Sequence, residues 1–291
     1  MALSIDQESS SQEQLELNLL LDTIRRRYGK DFHDYAPASL LRRVNRRKQM
    51  WGLDHISDMI PKILQEPKSW QELLTDLSTS VTEMFRDPEV FLQLKQEVFP
   101  VLSTFPFFKI WHVGCATGEE VYSLAILLFE QGLLSRAQIY GTDFNDQVLA
   151  SAKDGIYALE HIQKFESAYL AAGGQRALSD YFTSAYGKCK VQQLLKDRVT
   201  FANHNLTDDG VFAEVELILC RNVLIYFNSR LKSRSMALFY DSLHTSGFLV
   251  LGTKEALPQL AADTKFEYVD KRTKIYRKRA GGLDSPLLQA R

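Results

Sequence analysis

Gly114 and Gly118 bracket a short turn that follows the apolar run KIWHV and opens directly onto Glu119 and Glu120. A strand, a glycine turn and a helix are the usual makings of a nucleotide site. Glycines let the backbone approach a ligand, and a helix start presents free N–H groups. The spacing is G-x-x-x-G, so the G-x-G-x-x-G fingerprint of dinucleotide binding is absent. Two glutamates at the helix start would repel a pyrophosphate and welcome a ligand carrying positive charge. S-adenosylmethionine, with a sulfonium and an α-ammonium, is the common nucleoside cofactor of that kind. Glutamates that merely complement the helix dipole are the plainer alternative.

Two further stretches bear on that choice. In YGTDFN, Asp143 ends a second apolar run, where an acidic side chain can accept hydrogen bonds from both hydroxyls of an adenosine ribose. Asn145 is the better N-cap for the helix that follows. In LILCRNVLIYF a hydrophobic strand ends in Arg221 and Asn222, and Tyr226 follows one helical turn later. The Asn/Asp-Pro-Pro-aromatic motif with which many amine methyltransferases bind a nucleophilic nitrogen is absent there. Cys115, Cys189 and Cys220 lack CxxC spacing and are read as small buried hydrophobes, and the six histidines show no metal-ligand spacing. Neither a disulfide framework nor a metal centre is expected.

These residues need elements to position them. The chain has 291 residues, 45% hydrophobic and 24% charged, which suits one large or two moderate globular domains. LELNLLLDTIRRRYG, PASLLRRVNRRKQMWG and WQELLTDLSTSVTEMF carry helical spacing with glycine or proline punctuation, which predicts a helical N-terminal domain over residues 1–95. Beyond it, KIWHV, QIYGT, RVTFA, ELILC and GFLVLG alternate with helix-like segments, the pattern of βαβ units and a parallel sheet. FEYVDKRTKIYRK reads as an antiparallel hairpin closing that sheet, and a region from about 179 to 199 looks like an insertion into it. The sheet domain is expected over 96–280, with a flexible tail over 281–291.

Charge is uneven: from Arg25 to Lys48 there are nine Lys or Arg against two Asp, although the whole chain carries a formal net charge of only -1. Arg42 and Arg46 are four apart, as are Arg43 and Arg47, so they form two adjacent rows on a helix spanning about 39–51. Such a surface predicts an acidic partner, with a solvated helix face or a phosphate backbone as other readings. A sequence pI near 6.6 argues against a dedicated nucleic-acid binder. The early apolar run LNLLL is far shorter than the roughly 20 residues of a membrane span, and no secretory signal is recognised, so a cytoplasmic protein without membrane insertion is expected.

GCATGEEVYSLA, YGTDFNDQVLASAKDGIY, VTEMFRD, FANHNL and CRNVLIYF, in this spacing, resemble the CheR-type chemotaxis receptor glutamate O-methyltransferases over roughly residues 14–278. The resemblance implies a class I S-adenosylmethionine-dependent methyltransferase sheet, an α/β fold, preceded by an all-helical domain and interrupted by a small three-stranded subdomain. It implies methyl transfer from S-adenosylmethionine to glutamate side chains of the cytoplasmic helical bundle of chemoreceptors, by a monomer, with S-adenosylhomocysteine as product. A nucleic-acid methyltransferase and a non-catalytic S-adenosylmethionine-binding signalling module are the alternatives. On the matching motifs, Thr82 and Arg86 would reach the cofactor from the helical domain. Gly114, Glu119 or Glu120, and Asp143 would hold its amino-acid and ribose ends. Asn205 and Leu206 would border the adenine, Arg221 and Asn222 would close the pocket, and Arg86 and Tyr226 would sit nearest the departing methyl. Arg42, Arg43, Arg46 and Arg47 would face the receptor. Ser80 replaces the family's usual Asn at a cofactor contact, and Val121 its usual Pro. The region with only Gly187 lacks the glycine-rich loop of members that dock a receptor tail, which implies a tail-independent enzyme.

Overall fold

A computed structural model of the protein describes residues 5–78, 82–257 and 265–279; Ser80 and the tail over 281–291 lie outside them. The chain divides into two compact units, Met1–Ser80 with Tyr226–Leu231, and Val81–Ile225 with Lys232–Arg291. Among the described residues no helix is long and apolar enough to cross a membrane.

The first unit is helical: α1 (Ile5–Tyr28), α2 (Pro37–Met50), α3 (Met59–Gln65) and α4 (Pro67–Ser78). In α1, Leu17, Leu20, Leu21 and Ile24 follow one another at three- and four-residue steps and are all buried, the stripe a helix needs to pack on its neighbours. Tyr28 stacks on Trp70 of α4 with ring centroids 4.0 Å apart. The segment Tyr226–Leu231 completes this unit. The Ala36 amide donates to the Tyr226 carbonyl at 2.8 Å, Tyr35 and Phe227 form a β-bridge, and the Asn228 amide donates to the Asp34 carbonyl at 2.9 Å.

The second unit begins with α5 (Pro88–Gln93) and α6 (Phe99–Leu102) and continues through β1 (Phe108–Val113), α7 (Glu119–Glu130), β2 (Ala137–Asp143) and α8 (Asp146–Asp154). Then come β3 (Ile156–Ala158), α9 (Leu159–Ala171), β4 (Phe182–Ala185), β5 (Lys188–Val191) and α10 (Gln193–Lys196). It closes with β6 (Val199–Asn203), β7 (Val215–Cys220), α11 (Ser229–Ser242), β8 (Leu243–Leu251), β9 (Phe266–Asp270) and β10 (Ile275–Lys278), α11 starting in the segment given to the first unit. Seven strands form one sheet in the order β6-β2-β1-β7-β8-β10-β9. The first five are parallel and β10 runs antiparallel to both β8 and β9. β1 and β7 lie mid-sheet, and their buried side chains from Ile110 to Val113 and from Leu217 to Cys220 give the near-continuous apolar runs that a sheet covered on both faces requires. The hairpin at the sheet edge is as the alternation predicts.

Two expectations about boundaries are corrected. The helical domain does not extend to residue 95: Phe85, Val90, Phe91 and Leu94 are buried in the core of the second unit. Helical spacing continues across the junction, so periodicity cannot show where helices change their packing partners. The inserted subdomain also begins well before 179. Its sheet has the order β3-β5-β4, with Ile156 opposite Lys190 in the antiparallel pair of β3 and β5. Three residues are too few to show a period of two, so β3 is invisible in sequence. At the other limit, Val199 already belongs to the main sheet, pairing with Ile139.

Candidate active site

The loops that follow β1, β2, β7 and β8 gather at the carboxyl ends of the strands, where a doubly wound sheet binds its ligand. After β1 the chain turns through Gly114 (φ +63°), Ala116 (φ +48°) and Gly118 (φ +89°). A Cβ on Gly114 would come within 2.5 Å of the Val223 side chain, so packing as well as backbone conformation demands glycine there. Asp143 closes the same loop from β2: its Oδ2 accepts from the Ala116 amide at 3.1 Å and its Oδ1 from the Asn145 amide at 3.0 Å. Asn145 caps α8, accepting from the Gln147 amide at 3.0 Å. Glu119 is half-buried and accepts from the Thr117 hydroxyl at 2.6 Å. Burial pushes its carboxyl upward, and that hydroxyl works against the shift.

The field in this loop is negative. The Cys115 thiol is pushed well above its ordinary range, first by burial and then by the charges of Asp143 and Glu119. A phosphate would meet the same repulsion, while a ligand carrying a sulfonium and an ammonium would be stabilised. The residues present therefore fit S-adenosylmethionine, with Glu119 and Asp143 supplying the negative charge of the loop.

Glu120 is not among the groups free to bind it. It is buried, with Oε1 against Arg221 Nη1 and Oε2 3.4 Å from His112 Nε2. Burial alone would raise its pKa, but the Arg221 charge and His112 outweigh that and hold it at about 2. Of the paired glutamates, Glu119 is the one without an ion pair among the described residues. The Arg221 side chain is likewise engaged: it is fully enclosed, donating to Asp87 Oδ2 at 2.7 Å and twice to the Arg86 carbonyl at 3.0 Å.

That arginine fastens a strained segment. Phe85 and Asp87, on either side of Arg86, both sit at φ +54°, a conformation costly for residues with a Cβ and above all for an aromatic one. The Phe85 amide donates to Ser123 Oγ at 3.0 Å and its ring packs on Phe91 and Tyr169. Arg86 lines a cleft with Glu83, Asp87, Lys164 and Phe165, and no carboxylate lies within 4 Å of its guanidinium among the described residues. Thr82 and Arg86 belong to the sheet unit, not to the helical one as expected.

Asn205 and Leu206 follow β6. Leu206 is buried, and the Asn205 side chain is engaged locally, Nδ2 donating to Asp208 at 2.7 Å and Oδ1 accepting from the Thr207 amide at 3.2 Å. Asn222, half-buried, adopts φ +60° after β7. Its amide donates at 2.9 Å to Glu255, a residue that sequence reading missed. Glu255 lies 33 positions away and is joined to main-chain donors, which no spacing rule reveals; the G-x-x-E step from Gly252 is the only trace.

The basic helix is corrected in part. Arg42 and Arg46 are exposed, but Arg43 and Arg47 are buried with Leu40 and Val44 in the inward stripe of α2. Arg47 pairs with Asp76 at 2.5 Å and Glu72 at 2.9 Å, and Arg43 Nη1 donates to the Leu77 carbonyl at 2.6 Å. Charged residues can occupy such a stripe when partners on the facing helix satisfy them. The Arg43 guanidinium also stacks on the Tyr226 ring, 4.2 Å from its centroid, within the helical unit.

The strand order, the reversed β10 and an acidic cofactor loop define a class I S-adenosylmethionine-dependent methyltransferase. The CheR methyltransferase SAM-binding domain matches residues 80–275, and the CheR methyltransferase all-alpha domain matches residues 15–78. Cher3 of Pseudomonas putida is 45% identical over 264 residues, covering 91% of this chain and 97% of that protein. The chemotaxis protein methyltransferase Cher2 of the same organism is 28% identical over 74% of this chain and 80% of its own length. Chemotaxis protein methyltransferase 1 of Pseudomonas aeruginosa is 29% identical over 75% of this chain and 81% of its own length. The chain belongs to the CheR methyltransferase family, and S-adenosylmethionine is its cofactor.

Proposed function

We propose that the protein methylates glutamate side chains of methyl-accepting chemoreceptors, giving glutamyl 5-O-methyl esters. The names of its chemotaxis relatives point the same way. The observation that carries this reading is Arg86, which lines a cleft with Glu83, Asp87 and Lys164, has no carboxylate ion pair among the described residues and lies between two residues of positive φ. A cation so placed suits an anionic acceptor.

A glutamate, with an ordinary pKa of about 4.3, is already ionised at neutral pH, so no general base is required. S-adenosylmethionine supplies an electrophilic methyl on a sulfonium, which a carboxylate oxygen can take without any proton moving. Arg86 is expected to orient one carboxylate oxygen and leave the other free, because pairing both would stabilise the reactant more than the transition state. Tyr226 is assigned a hydrogen bond and no proton transfer. The exposed pair Arg42 and Arg46 is assigned to the acidic receptor helix. The connection between β4 and β5 is only Tyr186 and Gly187, which favours a receptor tail playing no part.

Incubation with methyl-labelled cofactor and a receptor cytoplasmic fragment tests the reading. Base-labile label released as methanol is expected, lost with Arg86→Ala and kept when the receptor tail is removed. Label that resists base, or that enters RNA instead, would overturn it.

A further inference from the structure

Glu255 joins two of the loops that frame the cofactor site. Its Oε2 accepts from the Gly252 amide at 2.7 Å, after β8, and from the Asn222 amide at 2.9 Å, after β7. Its Oε1 accepts from the Ile225 amide at 3.2 Å, and the Leu224 amide is a fourth donor. We propose that Glu255 is a positioning residue that holds the Asn222 turn in its cofactor-binding shape; this rests on Asn222 bordering the cofactor.

Three observations support it. Asn222 at φ +60° is a conformation that persists only where the surroundings over-determine it, and the bond from its own amide to Glu255 supplies part of that constraint. The fit is tight: a Cβ on Gly252 would come within 2.8 Å of Glu255 Oε2 and 2.9 Å of the Asn222 nitrogen. The carboxylate is only 5% exposed and has no cation within 4 Å among the described residues. Main-chain amides alone offset its charge, as in other anion-binding nests. Burial pushes its pKa up, against the pull of those amides.

Glutamine has the same shape, but its NH2 group would face amide donors, so Glu255→Gln should loosen the turn. The test is the affinity for S-adenosylhomocysteine, measured by calorimetry at a temperature where circular dichroism shows every variant folded. Glu255→Gln and Asn222→Ala are each expected to weaken binding by about tenfold, and the double variant by little more than the worse single one, since two groups acting through one turn are non-additive. Gly252→Ala, which pushes on Glu255 and Asn222 without altering charge, is expected to weaken binding as well, and it decides the matter if Glu255→Gln does not fold. Weak binding by Asn222→Ala alongside native affinity in folded Glu255→Gln, or in Gly252→Ala, overturns the inference. Additive losses in the double variant do the same. Native affinity in Asn222→Ala removes the reading beneath it, a distinct failure.

Discussion

At the scale of single residues, charge is spent in two ways. Arg43 and Arg47 are interior, whereas Arg42 and Arg46, one position back on the same helix, are exposed. Arg43→Ala should therefore cost stability, about 1–3 kcal/mol by denaturant titration, through lost packing and an unpaired Leu77 carbonyl. Replacing Arg42 and Arg46 by Ala should leave stability and S-adenosylhomocysteine affinity unchanged, but lower receptor methylation and flatten its dependence on salt. Unchanged methylation would remove that face from receptor binding. Glu120 carries a pH signature. Its folded pKa is depressed to about 2 from an ordinary 4.5, so its contribution to stability is complete above pH 4.5 and lost as pH falls towards 2. The melting temperature of Glu120→Gln should lie below that of the native protein at pH 7, with the gap closing between pH 4.5 and 2; a constant gap would contradict the buried pairing.

At the scale of elements, the site is a set of loop conformations that few residues tolerate, each fastened from behind. Phe85 and Asp87, Ala116, and Asn222 all have positive φ, and Arg221, Asp143 and Glu255 respectively bond to those segments. Arg221→Ala should lose about 3–5 kcal/mol, because Glu120 would be left buried without its cation. Arg221→Lys should recover little, since an ammonium cannot reach Glu120, Asp87 and the Arg86 carbonyl together. Denaturant titration of both variants checks this. These fastenings also explain how much could be read beforehand. The glycine turn, Asp143 and the Asn145 cap follow from strand and helix rules that act within a few residues. Glu255 and the inward role of Arg221 depend on partners 33 and 101 positions away, and β3 is too short to leave a pattern. Arg43 and Arg47 mislead because charge is ordinarily a surface signal, and here α4 supplies their partners.

At the scale of the whole molecule, the helical unit is discontinuous. Its first stretch, up to residue 80, is completed by Tyr226–Leu231, a return visit made after β7. A peptide ending at residue 80 thus lacks the strand partner of Tyr35, the acceptor of the Ala36 amide and the Asn228 contacts to Asp34. Such a fragment should melt at a lower temperature than one supplied with residues 226–231 through a flexible linker, as followed by circular dichroism. Equal melting would show that the returning segment adds nothing.

Severing the polypeptide between the two units would accordingly not set them loose. A protease site engineered near residue 80 should yield two pieces that co-elute on gel filtration, because the larger still carries the short stretch that the smaller one clasps. Modules laid end to end separate when their linker is cut; a unit assembled from two distant stretches of chain keeps both fragments together.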